Sequence, residues 1–277
     1  MTIHVVVPVH NRIELTEQFL DSVDHQQTSQ EVSVLLVDDG SADGTHDVVS
    51  KRVGRYATTV LTGTGSWWWA GSVRRALAYL SPKVKQQDFV YLGNNDTVLH
   101  SRHFEYLHDT ASRYPKSLVG ACSWEVWPDG SAHLVPGGFS IDINQLTVRV
   151  ASGAVHVDQE FDALAGRGLL IPAEALPHVT FHERLMPQHF ADITMTQGLR
   201  RKGFSLRVDP RATSRQIDRA GSAVEVNQTV LPSLDKKSAL YLPALASFWW
   251  HVSPPAQRPR ALFAGAGRAL KVLRGNR

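Results

Sequence analysis

Two short segments carry carboxylates where a turn would present them. Val37-Asp38-Asp39-Gly40-Ser41-Ala42-Asp43-Gly44-Thr45 sets paired acids ahead of Gly and Ser, a turn that can offer acceptors to a nucleobase or a ribose. The same residues suit a plain strand-to-helix turn in which Asp43 or Thr45 caps the next helix. Gly93-Asn94-Asn95-Asp96-Thr97 places one carboxylate beside two amides. That donor set suits a hard cation, Mg2+ or Mn2+, bridging a diphosphate, although Asn-Asn-Asp is also ordinary turn chemistry. A third segment, Gly63-Thr64-Gly65-Ser66-Trp67-Trp68-Trp69-Ala70-Gly71, joins glycines that admit close backbone approach to indoles that can stack on sugar C–H faces. Its other reading is a buried aromatic knot, with at least one of the tryptophans simply core.

These segments need elements to position them. Val5 to Val9 and Val32 to Val37 are continuous apolar runs, as expected of strands covered on both faces. Leu15, Phe19 and Val23 between them mark a helix, with Asn11 and Glu14 in capping-box spacing at its start. The pattern repeats: strand Thr58 to Leu61, helix Val73 to Leu80, strand Phe89 to Leu92, a helical stripe at Phe104, Leu107 and Ala111, then an apolar run from Leu118 to Cys122. Alternating strands and helices predict a doubly wound α/β sheet with ligands at the carboxyl ends of its strands. From about Ser123 to Asp158, Gly/Pro-rich turns and short alternating segments predict mixed or antiparallel sheet. A helix is expected to begin near Phe190 and stop at Gly203, with Arg200, Arg201 and Lys202 complementing its dipole.

Val7-Pro8-Val9-His10-Asn11-Arg12, the Asp38-Asp39-Gly40-Ser41 turn and Asn94-Asn95-Asp96 together resemble the family 2 glycosyltransferases of the GT-A fold. The Trp67-Trp68-Trp69 segment is similar to one in a bacterial rhamnosyltransferase-like branch of that family. Gly166-Arg167-Gly168-Leu169-Leu170-Ile171-Pro172 and His189-Phe190-Ala191-Asp192 extend the resemblance to about residue 210. It implies a GT-A-like mixed sheet flanked by helices over residues 1–225, with a short C-terminal appendage over 226–277. It further implies that Pro8, His10, Asn11, Arg12, Asp38, Asp39, Gly65, Trp69, Asn94, Asn95, Gly166 and Arg167 bind the nucleotide and donor sugar. Asp96 would ligate Mg2+ or Mn2+, and Asp192 would be the general base of an inverting transfer. A carboxylate near a helix N-terminus suits that role, because the anion is stabilised there while it accepts a hydroxyl proton; alone, it would also pass as a plain helix-start charge. The donor implied is a UDP- or dTDP-type sugar nucleotide, carrying rhamnose or another hexose. The acceptor implied is a glycan or a lipid-linked sugar. Two departures weigh toward a non-catalytic sugar-nucleotide or glycan-binding protein as the alternative: Asn94 replaces the usual first Asp, and no His lies between Arg207 and Ala220. Arg215 or Gln216 stands near where that His is expected.

Composition narrows the remaining classes. The chain of 277 residues is 43% hydrophobic and 20% charged, as in an ordinary globular protein, and its one cysteine, Cys122, has no partner for an internal disulfide. An apolar run begins at Ile3 with no basic segment before it, so no secretory signal is expected. The first strand lacks the G-x-G-x-x-G of a dinucleotide site, and no P-loop is present. Phe248-Trp249-Trp250 followed by basic residues has the pattern of an interfacial anchor, and packing of the tryptophans onto the main domain is its other reading. Peripheral contact with a membrane from the cytoplasmic side is therefore expected, whereas nucleic acid is not a partner, because the basic residues are terminal and not arrayed on a folded face.

Overall fold

The computed structural model describes residues 1–127, 129–217, 235–236, 238 and 241–262. Strands β1 (Thr2–Val9), β2 (Glu31–Asp38), β3 (Thr58–Thr62) and β4 (Phe89–Leu92) are parallel and lie in the order β3-β2-β1-β4. Helices α1 (Ile13–Asp24), α2 (Thr45–Lys51) and α3 (Trp68–Leu80) connect them. The sheet then becomes mixed. β5 (Thr97–Leu99), β6 (Ser117–Val126), β11 (Leu169–Pro172) and β12 (Ser205–Gln216) extend it in the order β4-β11-β6-β12-β5, with β11 antiparallel to both neighbours. β7 (Ala132–Pro136) folds back on β6 as a hairpin, and β8 (Gly138–Asp142), β9 (Thr147–Val150) and β10 (Ala163–Leu164) form a small antiparallel sheet.

The unbroken apolar runs are explained by burial on both faces. Val5 and Val7 of β1 pack with Phe19, Leu20 and Val23 of α1 and with Leu107 of α4 (His103–Arg113). Val6, between them, packs with Val73, Ala76 and Leu80 of α3. A strand with helices on both sides has no polar face to alternate.

The Asn11–Glu14 capping box does not form. Asn11 and Arg12 take left-handed φ of 57° and 65°, and the helix begins only at Ile13. The Asn11 side-chain oxygen accepts from the Ala42 amide at 2.9 Å, and the Asn11 amide donates to Ser41 Oγ at 2.7 Å. The first helical amide, Ile13 N–H, donates instead to Asp43 Oδ2 at 3.0 Å. Long-range partners from the β2–α2 turn outcompete the local cap, and they brace two site loops against each other.

Helix α5 (Ala191–Arg200) ends as expected before Gly203, whose φ is +91°. The apolar stretch near the C-terminus folds as α6 (Leu242–Val252), with Pro243 in its first turn, where the missing N–H costs nothing. Phe248 and Trp249 are buried with Ala191 and Ile193, while Trp250 is partly exposed. The Arg201 guanidinium donates to the backbone oxygens of His251 and Val252, carbonyls that a helix end leaves without intrahelical partners. Among the described residues, no helix is long and apolar enough to cross a membrane. The basic residues from Arg268 onward lie outside the described residues.

Candidate active site

Pairing register brings the turn segments to one edge of the sheet. Val9 pairs with Asp38, the Asp39 amide donates to the Val9 oxygen at 2.9 Å, the Gly63 amide to the Asp38 oxygen at 2.7 Å, and the Gly93 amide to the Val6 oxygen at 3.0 Å. The carboxyl ends of β1, β2, β3 and β4 are therefore neighbours.

Asp39 is the organising side chain there. Its Oδ1 accepts the Gly65 amide at 2.8 Å, and its Oδ2 accepts the Trp67 and Trp68 amides at 2.8 and 2.9 Å. One buried carboxylate thus holds the Gly63–Trp69 loop and the start of α3. A carboxylate has about four acceptor positions, so a single one is left for a ligand donor. The loop closes tightly enough that a Cβ on Gly63 would stand 2.5 Å from Asp39 Oδ1. The His10 Nδ1–H donates to the Asp39 backbone oxygen at 2.7 Å. Asp38, also buried, accepts the Ser41 amide at 2.9 Å and lies 3.6 Å from His46 Nδ1. Pro8 sits in the β1–β2 ladder opposite Val37.

Left-handed backbone concentrates at this edge. Among the described residues, six non-glycine residues have positive φ, and four of them start helices around the site: Asn11 and Arg12 before α1, Trp68 in α3, and Phe190 before α5. Such strain persists where surrounding contacts over-determine it. The Asp39 carboxylate supplies those contacts at Trp68.

The Gly93–Thr97 turn distributes its polar groups unevenly. Asn95 Nδ2 donates to Thr16 Oγ1 of α1 at 3.0 Å, and Asn94 Oδ1 accepts from Trp69 Nε1 at 3.3 Å. Asp96 is buried and is the turn's one carboxylate. Among the described residues, no group of three His, Cys, Asp or Glu is assembled to hold a metal. The donor set therefore fits a hard cation that arrives with a diphosphate, since such ions need only one or two protein carboxylates beside phosphates and water.

Trp69 connects this turn to the far wall. A Cβ on Gly166 would stand 2.4 Å from Trp69 Cζ2 and 3.0 Å from Asp192 Cβ, so only glycine fits between indole and acid. The Gly166 amide donates to Asp192 Oδ2 at 2.7 Å, and the Ile193 amide donates to Asp192 Oδ1 at 2.8 Å. Burial pushes the Asp192 carboxyl above the usual range, and these two amides act against that shift. The next residue, Arg167, donates to Gln216 Oε1 and to Glu125 Oε1, the latter an ion pair between a half-buried guanidinium and a buried carboxylate. Since Gln216 pairs with Thr97 across β12–β5 and Thr97 Oγ1 donates to the Asn94 oxygen, the circuit closes around the carboxyl end of β4.

The structure thus brings Asp39, Gly65, Trp69, Asn94, Asp96, Gly166, Arg167 and Asp192 into one connected edge. Asn11 and Arg12 stand beside it, bracing α1. Asn95 points its amide at α1, and Arg215 is exposed and alternates to the face opposite Gln216. Glu125 and Gln188, whose Oε1 accepts the Trp69 amide at 3.3 Å, escaped sequence reading. Glu125 did leave a signal, as a lone carboxylate in the otherwise apolar approach of a buried strand.

Residues 4–159, more than half of the chain, match the model of the family described as glycosyl transferase family 2. No curated protein matches the sequence. Among solved structures, GalNAc-T7 with UDP, GalNAc and Mn2+ superposes with a TM-score of 0.67 at 12% identity, covering 91% of this chain and 47% of that one. S. aureus TarS 1-349 with UDP-GlcNAc gives 0.59 at 15%, covering 98% and 73%. The mannosyltransferase PcManGT from Pyrobaculum calidifontis with GDP-Man and Mn2+ gives 0.56 at 16%, covering 96% and 73%. At these identities the likeness is one of fold, and this chain spans about half the length of GalNAc-T7. The chain belongs to glycosyl transferase family 2.

Proposed function

We propose that this family 2 chain is an inverting glycosyltransferase that moves a sugar from a nucleoside diphosphate donor to a hydroxyl of a glycan or lipid-linked acceptor, with Asp192 as general base. The observation that carries the reading is the Asp192–Gly166 contact beside Trp69. It supports a carboxylate held at a helix start, raised in basicity by burial, on the wall opposite the Asp39 turn. Asp192 accepts the acceptor hydroxyl's proton as that oxygen bonds to the anomeric carbon. The bond from that carbon to the diphosphate breaks, and its electron pair leaves with the nucleotide. Pro8, His10, Asn11, Arg12, Asp38 and Asp39 shape the nucleotide's place, and the Trp69 indole offers an apolar face to the donor sugar. Asp96 would hold Mg2+ or Mn2+ together with the diphosphate, and such an ion supplies charge neutralisation for the leaving group. Donor types consistent with the reading are UDP- or dTDP-sugars, rhamnose included. The site is read as working from the cytoplasmic side; since Phe248 and Trp249 pack into the domain, any peripheral membrane contact of this end falls to Trp250, the exposed ring of the three.

The rival reading, a non-catalytic sugar-nucleotide or glycan-binding protein, draws on Asn94, which stands where a second acid is expected and whose amide oxygen is committed to Trp69. A thermal-shift screen against UDP, dTDP, GDP and their sugar derivatives, with and without Mn2+, followed by assay of donor turnover, separates the two. A ligand at a hundredfold excess over Kd stabilises the folded state by about 2.7 kcal/mol. A metal-dependent shift with turnover supports the transferase. A shift without turnover supports the binding protein, and no shift with any nucleotide, from folded protein, contradicts the transferase and favours the non-catalytic reading as a glycan-binding protein.

A further inference from the structure

Glu125 divides β6 into two faces. Trp124 points away from the site and pairs with Leu134 and Arg215, whereas Glu125 turns inward to Arg167. Two residues beyond Glu125, Trp127 returns to the same face as Glu125. His133 is the partner of Glu125 in the β6–β7 ladder, and its ring lies against Trp127 with centroids 4.1 Å apart and planes tilted by 31°. This face is closed at Glu125, which is 1% exposed, and open at Trp127, which is 47% exposed.

The exposed indole is held in place. The Trp127 amide donates to the Ser131 oxygen at 2.9 Å, the Gly130 amide to the Trp127 oxygen at 2.9 Å, and Gly130 takes φ of +84°. Ser131 Oγ donates to Asp129 Oδ1 at 2.6 Å and lies 2.7 Å from His133 Nε2. Asp129 Oδ1 also accepts the Ser131 amide at 2.9 Å, and these bonds to Ser131 hold its carboxyl below its ordinary range. A rigid indole with one face covered by imidazole, flanked by a hydroxyl and a carboxylate, combines the two things a pyranose needs. Its C–H face finds an aromatic plane, and its hydroxyls find acceptors.

We infer that Trp127 and His133 form an acceptor subsite that stacks a pyranose ring of the glycan receiving the sugar. The inference rests on the transferase reading, because what points to an acceptor is continuity with that site. Along one face, Trp127 and His133 adjoin Glu125, Glu125 holds Arg167, and the preceding residue Gly166 donates to Asp192. β6 runs in the same sense as β4, both being antiparallel to β11, so Trp127 stands past its carboxyl end at the sheet edge that carries the site, and a glycan held there would present its next sugar along that edge.

Saturation-transfer NMR with the methyl pyranosides of glucose, galactose, mannose, rhamnose and N-acetylglucosamine tests the subsite on the full chain. At least one glycoside is expected to receive saturation on its C–H face. Trp127→Ala is expected to weaken that binding about tenfold, the worth of one aromatic contact. Trp124→Ala, an equally exposed indole on the opposite face, is expected to leave it unchanged. Undiminished binding in Trp127→Ala, equal loss in Trp124→Ala, or no saturation of any glycoside would overturn the subsite. Nucleotide thermal shifts on the same preparations distinguish the failures. Nucleotide binding without glycoside binding removes only the subsite, whereas absence of both removes the transferase reading beneath it.

Discussion

The Asp39 carboxylate accepts the backbone N–H of Trp68 at 2.9 Å, and Trp68 holds a left-handed φ of 56°. The acid and the strained tryptophan form one device, since three backbone amides of the Gly63–Trp69 loop converge on the same two oxygens. Asp39→Ala would strand those amides. The expected cost is about 3 kcal/mol of stability, by the penalty for leaving buried donors unsatisfied, together with loss of nucleotide binding. Chemical denaturation and the nucleotide thermal shift read the two effects. A variant with wild-type midpoint and wild-type shift would show that the loop holds itself.

Gly166 separates the Trp69 indole from Asp192, so a methyl group there displaces one of them. Gly166→Ala is expected to slow transfer by about 10²-fold, the scale for a misplacement near 1 Å at a reacting group. Nucleotide affinity, set at the Asp39 side, should change little. Steady-state kinetics beside nucleotide titration check this, and an unchanged rate would show that the wall yields without consequence.

Asp96 is the one carboxylate on the turn proposed to share a cation with the diphosphate. Asp96→Ala should remove the Mn2+-dependent part of the donor's thermal shift and leave the metal-free part. An unchanged Mn2+ titration would take Asp96 out of the metal site.

His103 provides a prediction for the core. It is fully buried, its Nδ1 lies 2.9 Å from the Thr213 oxygen and its Nε2 lies 3.1 Å from the Tyr91 hydroxyl, and burial lowers its pKa to about 4. A histidine whose folded pKa lies below its unfolded value of about 6.5 binds its proton more readily when unfolded. Its stabilising effect is present above pH 6.5 and is lost as pH falls toward 4, a difference of about 3 kcal/mol. His103→Gln should flatten that part of the stability–pH curve measured by urea denaturation. A wild-type slope in the variant would assign the acid sensitivity to other groups.

Much of this arrangement was legible in the chain because it is local. Paired apolar runs with helical stripes between them specify the parallel half of the sheet, and the Asp-Asp-Gly-Ser, Asn-Asn-Asp and Gly-Arg-Gly segments fall at its edge. Local reading failed where distant partners decide. Asn11 was expected to cap its own helix, yet Ala42 and Ser41 claim it, and Asp43 takes the helix start. Insertion of β11 between β4 and β6, antiparallel to both, is a pairing that no spacing announces. The sequence places Asp39 at the nucleotide, and the three loop amides it also accepts become visible only once the β2 and β3 ends are side by side. Glu125 belongs to no motif, and its meaning comes from Arg167, 42 residues later.

The central claim is that Asp192 removes the acceptor's proton, and its buried carboxyl sits above the usual aspartate range. The base works only when ionised, so the rate is present above that raised pKa and is lost as pH falls through it. The most direct measurement compares wild type with Asp192→Asn, following nucleoside diphosphate release from the best-binding sugar nucleotide while nucleotide affinity is titrated in parallel. The account predicts a rate lower by about 10²- to 10⁴-fold, the usual contribution of a general base, with nucleotide affinity nearly unchanged. A variant that releases nucleotide at the wild-type rate and keeps the wild-type pH profile would contradict it.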